Sequence, residues 1–243
     1  MNCLRWKTSQ ANKKIYKSTL FFKSIKEHIS FKMNEEKINL ARTGTCTVGL
    51  ICKDGIILAA DQRMSGGEGL IFGKMKKVYK LTDNVVVTTA GNVSDIQYVM
   101  KLAKAELQLK RIKTKKLPSV QEAANLFATI CYQNIRKFST IVGISHFILG
   151  GKDSHGFGLY DITPDGSVIE EKKFATSGAY GSIIGLGLLD NEWKPNLSME
   201  EGKKLAIKVI TTAVKRDATV GEGMDIVIID KNGVGEIKEE KLA

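Results

Sequence analysis

Three Asp-Gly or Asn-Gly dipeptides (Asp54-Gly55, Asp165-Gly166 and Asn232-Gly233) each lie between two short apolar runs, and this constrains the fold more than any other feature of the chain. Such dipeptides favour tight two-residue hairpin turns, because both central residues then take a positive φ that Gly, Asn and Asp tolerate. The pattern predicts antiparallel pairs of 47–52 with 56–60, 158–162 with 167–174, and 225–229 with 234–238. Segments 77–81, 85–90 and 140–150 are further strand candidates, rich in β-branched residues. Helices are marked by capping boxes, in which a Ser side chain and an acid or amide three residues later satisfy each other's free backbone N–H groups. Ser94 with Gln97, Ser119 with Glu122 and Ser198 with Glu201 fit that pattern. The second opens an apolar stripe of Val120, Ala124, Phe127, Ala128, Cys131 and Ile135, and the third opens Leu205, Ala206, Val209, Ile210, Ala213 and Val214. Strands, two long helices, strands, a short and a long helix and a final hairpin argue for an α+β fold of two antiparallel sheets covered by helices.

A chain of 243 residues, 43% of them hydrophobic, is accounted for by one core. No stretch approaches the roughly 18 apolar residues of a membrane helix, since 141–151 is interrupted by Ser145 and His146. Three His and four Cys (Cys3, Cys46, Cys52, Cys131) at unrelated spacings give no metal-site pattern and no disulfide framework. Free thiols fit a reducing, cytoplasmic compartment. The net charge of +11 suggests nucleic acid until it is divided along the chain. Residues 1–44 hold ten Lys and Arg against three acids, +7, and the remaining 199 carry only +4. The body is nearly balanced, which argues against a nucleic-acid partner.

Residues 1–44 read as a separable leader, with no Pro, one Gly and no lasting periodicity. Lys outnumbers Arg there, unlike a transit peptide. A second Met at Met33 would leave 33–44 as a propeptide of neutral side-chain charge, with 1–32 as untranslated upstream sequence; a genuine address or tether is the competing reading. The first hairpin, with its loop at Asp54 and Gly55, sets Lys53 opposite Ile56 and Thr45 opposite Met64, to within a residue or two. A Thr, a carboxylate (Asp61) and a cation (Arg63) therefore converge at its open end.

The string Arg42-Thr43-Gly44-Thr45-Cys46-Thr47-Val48-Gly49 resembles the junction at which proteasome β subunits cut themselves between Gly and Thr. Five further segments resemble that family in its order: Ala60-Asp61-Gln62-Arg63, Lys76-Lys77-Val78, Thr88-Thr89-Ala90-Gly91, Gly150-Gly151-Lys152-Asp153, and Lys215-Arg216-Asp217 through Gly221. Together they span nearly the whole chain after the leader.

The resemblance implies the four-layer αββα sandwich of N-terminal nucleophile hydrolases for 45–243, and a threonine endopeptidase of the archaeal type. Cleavage after Gly44 would leave Thr45 with a hydroxyl nucleophile and a free α-amino group, whose ordinary pKa of about 7.7 to 8.0 suits a general base. Lys77 would favour the developing alkoxide and Asp61 would hold it charged. Gly91 would offer its backbone N–H to the oxyanion, an ordinary strand-to-helix turn being the alternative. Asp217 would complete the catalytic set, Arg63 and Ser182 would support it, and Met64, Met75 and Thr89 would line an apolar primary specificity pocket. The resemblance further implies stacked heptameric rings of α and β subunits, an ATPase feeding unfolded polypeptide, and no metal or organic cofactor. Two positions depart from the pattern: Tyr180 and Val220 stand where active members carry Ser. That departure keeps open a non-catalytic structural ring subunit. Cys46 is an alternative nucleophile only if cleavage falls one bond later, and Gly44 places the least bulky residue at the earlier bond.

Overall fold

The two strands that follow Thr45, β1 (Cys46–Cys52) and β2 (Gly55–Asp61), are buried on both faces, and this double burial sets the layering. Successive side chains of a strand point to opposite faces. In β2, Ile57 and Ala59 lie in one apolar cluster while Ile56, Leu58 and Ala60 lie in another. Cys46, Val48, Leu50 and Cys52 of β1 all join the first. A sheet built on such strands needs a layer on each side.

The computed structural model describes residues 44–66, 70–139 and 142–241, so the predicted leader, except for Gly44, lies outside the described residues. After β2 come β3 (Arg63–Gly66), β4 (Leu70–Lys74), β5 (Val78–Lys80), β6 (Val85–Gly91), α1 (Val93–Thr114) and α2 (Val120–Ile135). Then follow β7 (Ser145–Asp153), β8 (Gly156–Ile162), β9 (Val168–Glu171), β10 (Phe174–Gly178), α3 (Tyr180–Glu192) and α4 (Met199–Val214). The last strands are β11 (Met224–Asp230), β12 (Gly233–Val234) and β13 (Lys238–Glu240). One antiparallel sheet runs β10-β1-β2-β11-β12, with β13 also paired to β11; a second runs β5-β6-β7-β8-β9, and β3-β4 is a separate hairpin.

Three apolar clusters bind the layers. Val99, Leu107 and Phe127 of α1 and α2 pack on Val85, Val87, Phe147 and Leu149 of the second sheet. Leu58, Val227, Val86, Ile148 and Leu159 fill the space between the sheets. Leu189, Leu205 and Val209 of α3 and α4 cover Val48, Leu50 and Ile57. This is the four-layer αββα sandwich, of α+β class, that the family resemblance implies.

Several local expectations change. Cys52 pairs with Gly55 and Thr47 with Ala60, so the first turn is Lys53-Asp54 and the register is two residues from the predicted one. Gly55 has no positive φ. It is glycine because a β-carbon there would overlap the Ile229 carbonyl oxygen of the neighbouring strand. The third hairpin likewise turns at Lys231-Asn232, with Gly233 paired to Asp230. The second has a five-residue connection, because Asp165 holds Thr163 and Ser167 with its carboxylate and widens the turn. The segment predicted as 167–174 then divides between sheets: β9 pairs with β8, whereas β10 pairs with β1.

Both boxes at Ser119 and Ser198 form. The one at Ser94 does not, because the helix starts earlier, at Val93, with Asn92 as its N-cap. The Asn92 N–H donates to the Ile144 carbonyl (2.9 Å), which turns the chain as soon as β6 ends. The strand predicted from 140 begins at Ser145.

Gly49 of β1 determines how closely the sheets approach. A β-carbon there would stand 2.8 Å from Leu159 Cδ1 and 2.9 Å from Ile148 Cγ2, both on the opposite sheet. Gly49→Ala is therefore expected to destabilise the fold by about 1 to 3 kcal/mol through overpacking. The denaturant midpoint should fall at unchanged slope, and an unchanged midpoint would show that the sheets can part freely.

Candidate active site

Asp61 ends β2 with a fully buried carboxylate. Its Oδ1 accepts the Cys46 N–H (3.0 Å) and the Lys77 ammonium (2.8 Å), and its Oδ2 accepts the N–H groups of Arg63 and Gly221 (both 3.0 Å). One side chain thus ties the starts of β1 and β3, the segment before β5, and the loop 217–223. Lys77 immediately precedes β5 of the other sheet and is almost as deeply buried. Burial pushes its pKa below the ordinary lysine value, and the adjacent Asp61 charge opposes that shift. The Lys77 backbone is fixed as well, its carbonyl accepting the Thr89 N–H at 2.9 Å.

Lys77 Nζ also donates to Thr45 Oγ1 at 3.0 Å, and Thr45 Oγ1 donates to the Gly44 carbonyl oxygen at 2.5 Å. The hydroxyl thus accepts from an ammonium and donates to the carbonyl oxygen of the residue before it, which places a nucleophile type and a cation beside one peptide bond. Thr45 itself is buried. Gly178, at φ +122°, packs against it so closely that a β-carbon would overlap the Thr45 carbonyl oxygen.

The structure therefore brings Thr45, Asp61 and Lys77 together as predicted, and Thr45 is indeed at the open end of the first hairpin despite the shifted register. Asp217 also joins the group, by a different route. Its Oδ2 accepts the Gly181 N–H (3.1 Å) at the start of α3, and its Oδ1 accepts both the backbone N–H (2.9 Å) and the hydroxyl of Thr219. Arg63 donates to the Ala218 carbonyl (2.6 Å) and to Glu222 (3.3 Å), which straps β3 to the same loop.

Other predicted residues sit differently. The Ser182 hydroxyl faces the carbonyl oxygens of Gly178 and Ala179 (3.0 and 2.7 Å) and so closes the turn into α3. Tyr180 is exposed at the first residue of that helix. Val220 is wholly buried in the core under α3 and α4. Gly91 ends β6 at φ +120°, where a β-carbon would overlap the Ile144 carbonyl oxygen, a requirement of the turn itself. Met64 pairs with Gly73 in the β3-β4 hairpin, and the Met75 N–H donates to the Gln62 carbonyl at 2.8 Å. Both are part-buried, whereas Thr89 is 1% exposed. Cys46 is fully buried, and its thiol is held protonated by desolvation and by the nearby Asp61 charge. That is an inert thiol, consistent with Thr45 as the better nucleophile candidate.

Thr219 was missed. The family resemblance points to position 220 for a hydroxyl, and the hydroxyl that contacts Asp217 lies one residue earlier. The only signal was its place in the stretch Asp217-Ala218-Thr219-Val220-Gly221-Glu222-Gly223, where it is the sole hydroxyl residue.

Comparison with known proteins gives the family. Residues 41–229 match the family model described as proteasome subunit. A protein named proteasome subunit beta from Ferroglobus placidus is 36% identical over 199 residues, covering 82% of this chain and 92% of the relative. Proteins of the same name from Archaeoglobus fulgidus and Methanocaldococcus vulcanius are 35% and 38% identical, covering 86% and 82% of this chain and 95% and 87% of theirs. With the αββα layers and the ordered motifs, these similarities show that the chain belongs to the proteasome subunit family, as a β-type subunit of the kind found in archaea.

Proposed function

We propose that this β subunit is a threonine endopeptidase, made as a precursor that cuts itself between Gly44 and Thr45. The observation that carries the reading is the chain of contacts from Asp61 through Lys77 to Thr45 Oγ1 and on to the Gly44 carbonyl oxygen. In the first reaction Thr45 Oγ1 bonds to the Gly44 carbonyl carbon and the Gly44–Thr45 C–N bond breaks. The hydroxyl proton passes to the Thr45 nitrogen, and water then hydrolyses the ester to free the leader and regenerate the hydroxyl. The released α-amino group becomes the general base for peptide substrates. Lys77 favours the alkoxide, Asp61 fixes Lys77, the Gly91 N–H meets the oxyanion, and Asp217 braces the turn and loop beside Thr45.

Assembly into stacked heptameric rings with α subunits, fed with unfolded polypeptide by an ATPase, belongs to the same proposal, as does a cytoplasmic location. Exposed apolar side chains on β4 (Leu70, Ile71, Phe72) and α3 (Ile183, Leu186) support assembly with other subunits, since such surface is normally covered. The second reading, a ring subunit without activity, is favoured by Val220 and Tyr180, which bring no Ser hydroxyl to their positions. A covalent threonine-directed probe separates them: labelling of Thr45 supports the peptidase, and no labelling of assembled particles supports the inactive subunit.

Thr45→Ala is expected to abolish self-cleavage and peptidase activity while assembly persists. Intact mass of assembled wild-type particles should begin at Thr45, and a leader still attached to active particles would overturn the mechanism. Lys77→Ala should cost on the order of 10² to 10³ in kcat, about 3 to 4 kcal/mol of transition-state stabilisation. Wild-type turnover in that variant would remove Lys77 from the mechanism. Met64 and Met75 as adaptable apolar pocket residues predict cleavage after large hydrophobic residues. A fluorogenic peptide panel with highest kcat/KM after an acidic or basic residue would contradict the pocket.

A further inference from the structure

Gly44 lies where no side chain fits. A β-carbon built on it would overlap both Thr219 Oγ1 and Thr219 Cβ, and would stand 2.8 Å from the Thr219 carbonyl oxygen. Thr219 cannot easily yield. Its hydroxyl and its N–H both donate to Asp217 Oδ1, its carbonyl accepts the Ser65 hydroxyl at 3.3 Å, and its β-branched side chain has few rotamers. Asp217 is itself tied to the start of α3 through Gly181. One peptide further on, Gly178 closes on the Thr45 carbonyl oxygen. Thr219 thus confines Gly44 while Gly178 confines the Thr45 carbonyl, and between them Thr45 Oγ1 lies 2.5 Å from the Gly44 carbonyl oxygen.

Resting on the peptidase reading above, we infer that Thr219 is a positioning residue for self-cleavage. Anchored by Asp217, its side chain is the wall against which Gly44 lies, and that wall presents the Gly44 carbonyl to the Thr45 hydroxyl. Thr219 forms no bond in the reaction. The bond that forms is Thr45 Oγ1 to the Gly44 carbonyl carbon, and the bond that breaks is Gly44 C to Thr45 N. This role also accounts for the glycine at 44: any side chain there would push the carbonyl off the hydroxyl. Val220, buried in the core beside it, leaves Thr219 as the loop's hydroxyl residue at this site.

The test follows precursor loss from the full chain by intact mass over time. Thr219→Ser, which keeps the anchoring hydroxyl, should process within about threefold of wild type, whereas Thr219→Val, similar in shape without the hydroxyl, should be slower by on the order of tenfold or more. Equal rates for the two would overturn the inference. A second arm uses Gly44→Ala, Thr219→Gly and the double variant. If the wall acts on Gly44, the penalty of Gly44→Ala should be clearly smaller in the Thr219→Gly background, with rescue limited by the carbonyl oxygen that remains. Additive penalties would mean that Thr219 only supports the loop, and would overturn the inference. Where Thr219→Gly fails to fold, the Ser and Val pair decides. A wild-type chain that never releases its leader overturns the peptidase reading and this inference together, whereas self-cleavage with additive penalties overturns the inference alone.

Discussion

The buried pair of Lys77 and Asp61 is the interaction on which the site depends. Two charges removed from water carry a large desolvation cost, and attraction between them offsets it only where the remaining hydrogen-bonding capacity is also met. Asp61 meets that condition with three backbone N–H groups besides the ammonium. Because those N–H groups belong to Cys46, Arg63 and Gly221, satisfying the carboxylate also fixes three segments of backbone around Thr45. Losing either member of such a pair strands the other, commonly at a cost of about 3 to 5 kcal/mol. Chemistry and local architecture therefore share one constraint.

The sandwich explains why the pair can exist at all. Asp61 ends a strand of one sheet and Lys77 immediately precedes a strand of the other, so the charges meet where the two sheets' strands stop. There the backbone is freed from ladder pairing and can offer N–H groups to a carboxylate. Deeper between the sheets the space is filled by Leu58, Val86, Ile148 and Leu159, and Gly49 lets the layers close on them. Thr45 lies at the seam, one residue before β1, with Gly178 above its carbonyl.

The loop 217–223 holds its carboxylate with an apolar residue at position 220. Val220 serves the core under α3 and α4. Asp217 nonetheless has both oxygens occupied, by Thr219 and by Gly181. Its geometry is thus preserved by a neighbour in sequence, without a donor at position 220.

Much of this was legible in the chain itself. The first hairpin, the boxes at Ser119 and Ser198, and the gathering of Thr45 with Asp61 at the hairpin's open end all follow from turn and capping chemistry, which act over a few residues. Where the sequence misled, the cause was a contact from far along the chain. Gly55 reads as a turn glycine, but Ile229 of a neighbouring strand excludes a side chain there. Gly44 reads as the least bulky residue at its bond, but nothing local shows that it is Thr219 that excludes a side chain there. Ser94 carries a capping pattern, yet the Ile144 carbonyl draws Asn92 into place and starts the helix first. Local turn and capping chemistry determined which segments are helices and strands; only the tertiary structure decided register, glycine placement and the contact of Asp217 with Gly181, because those are set by atoms that approach from distant segments.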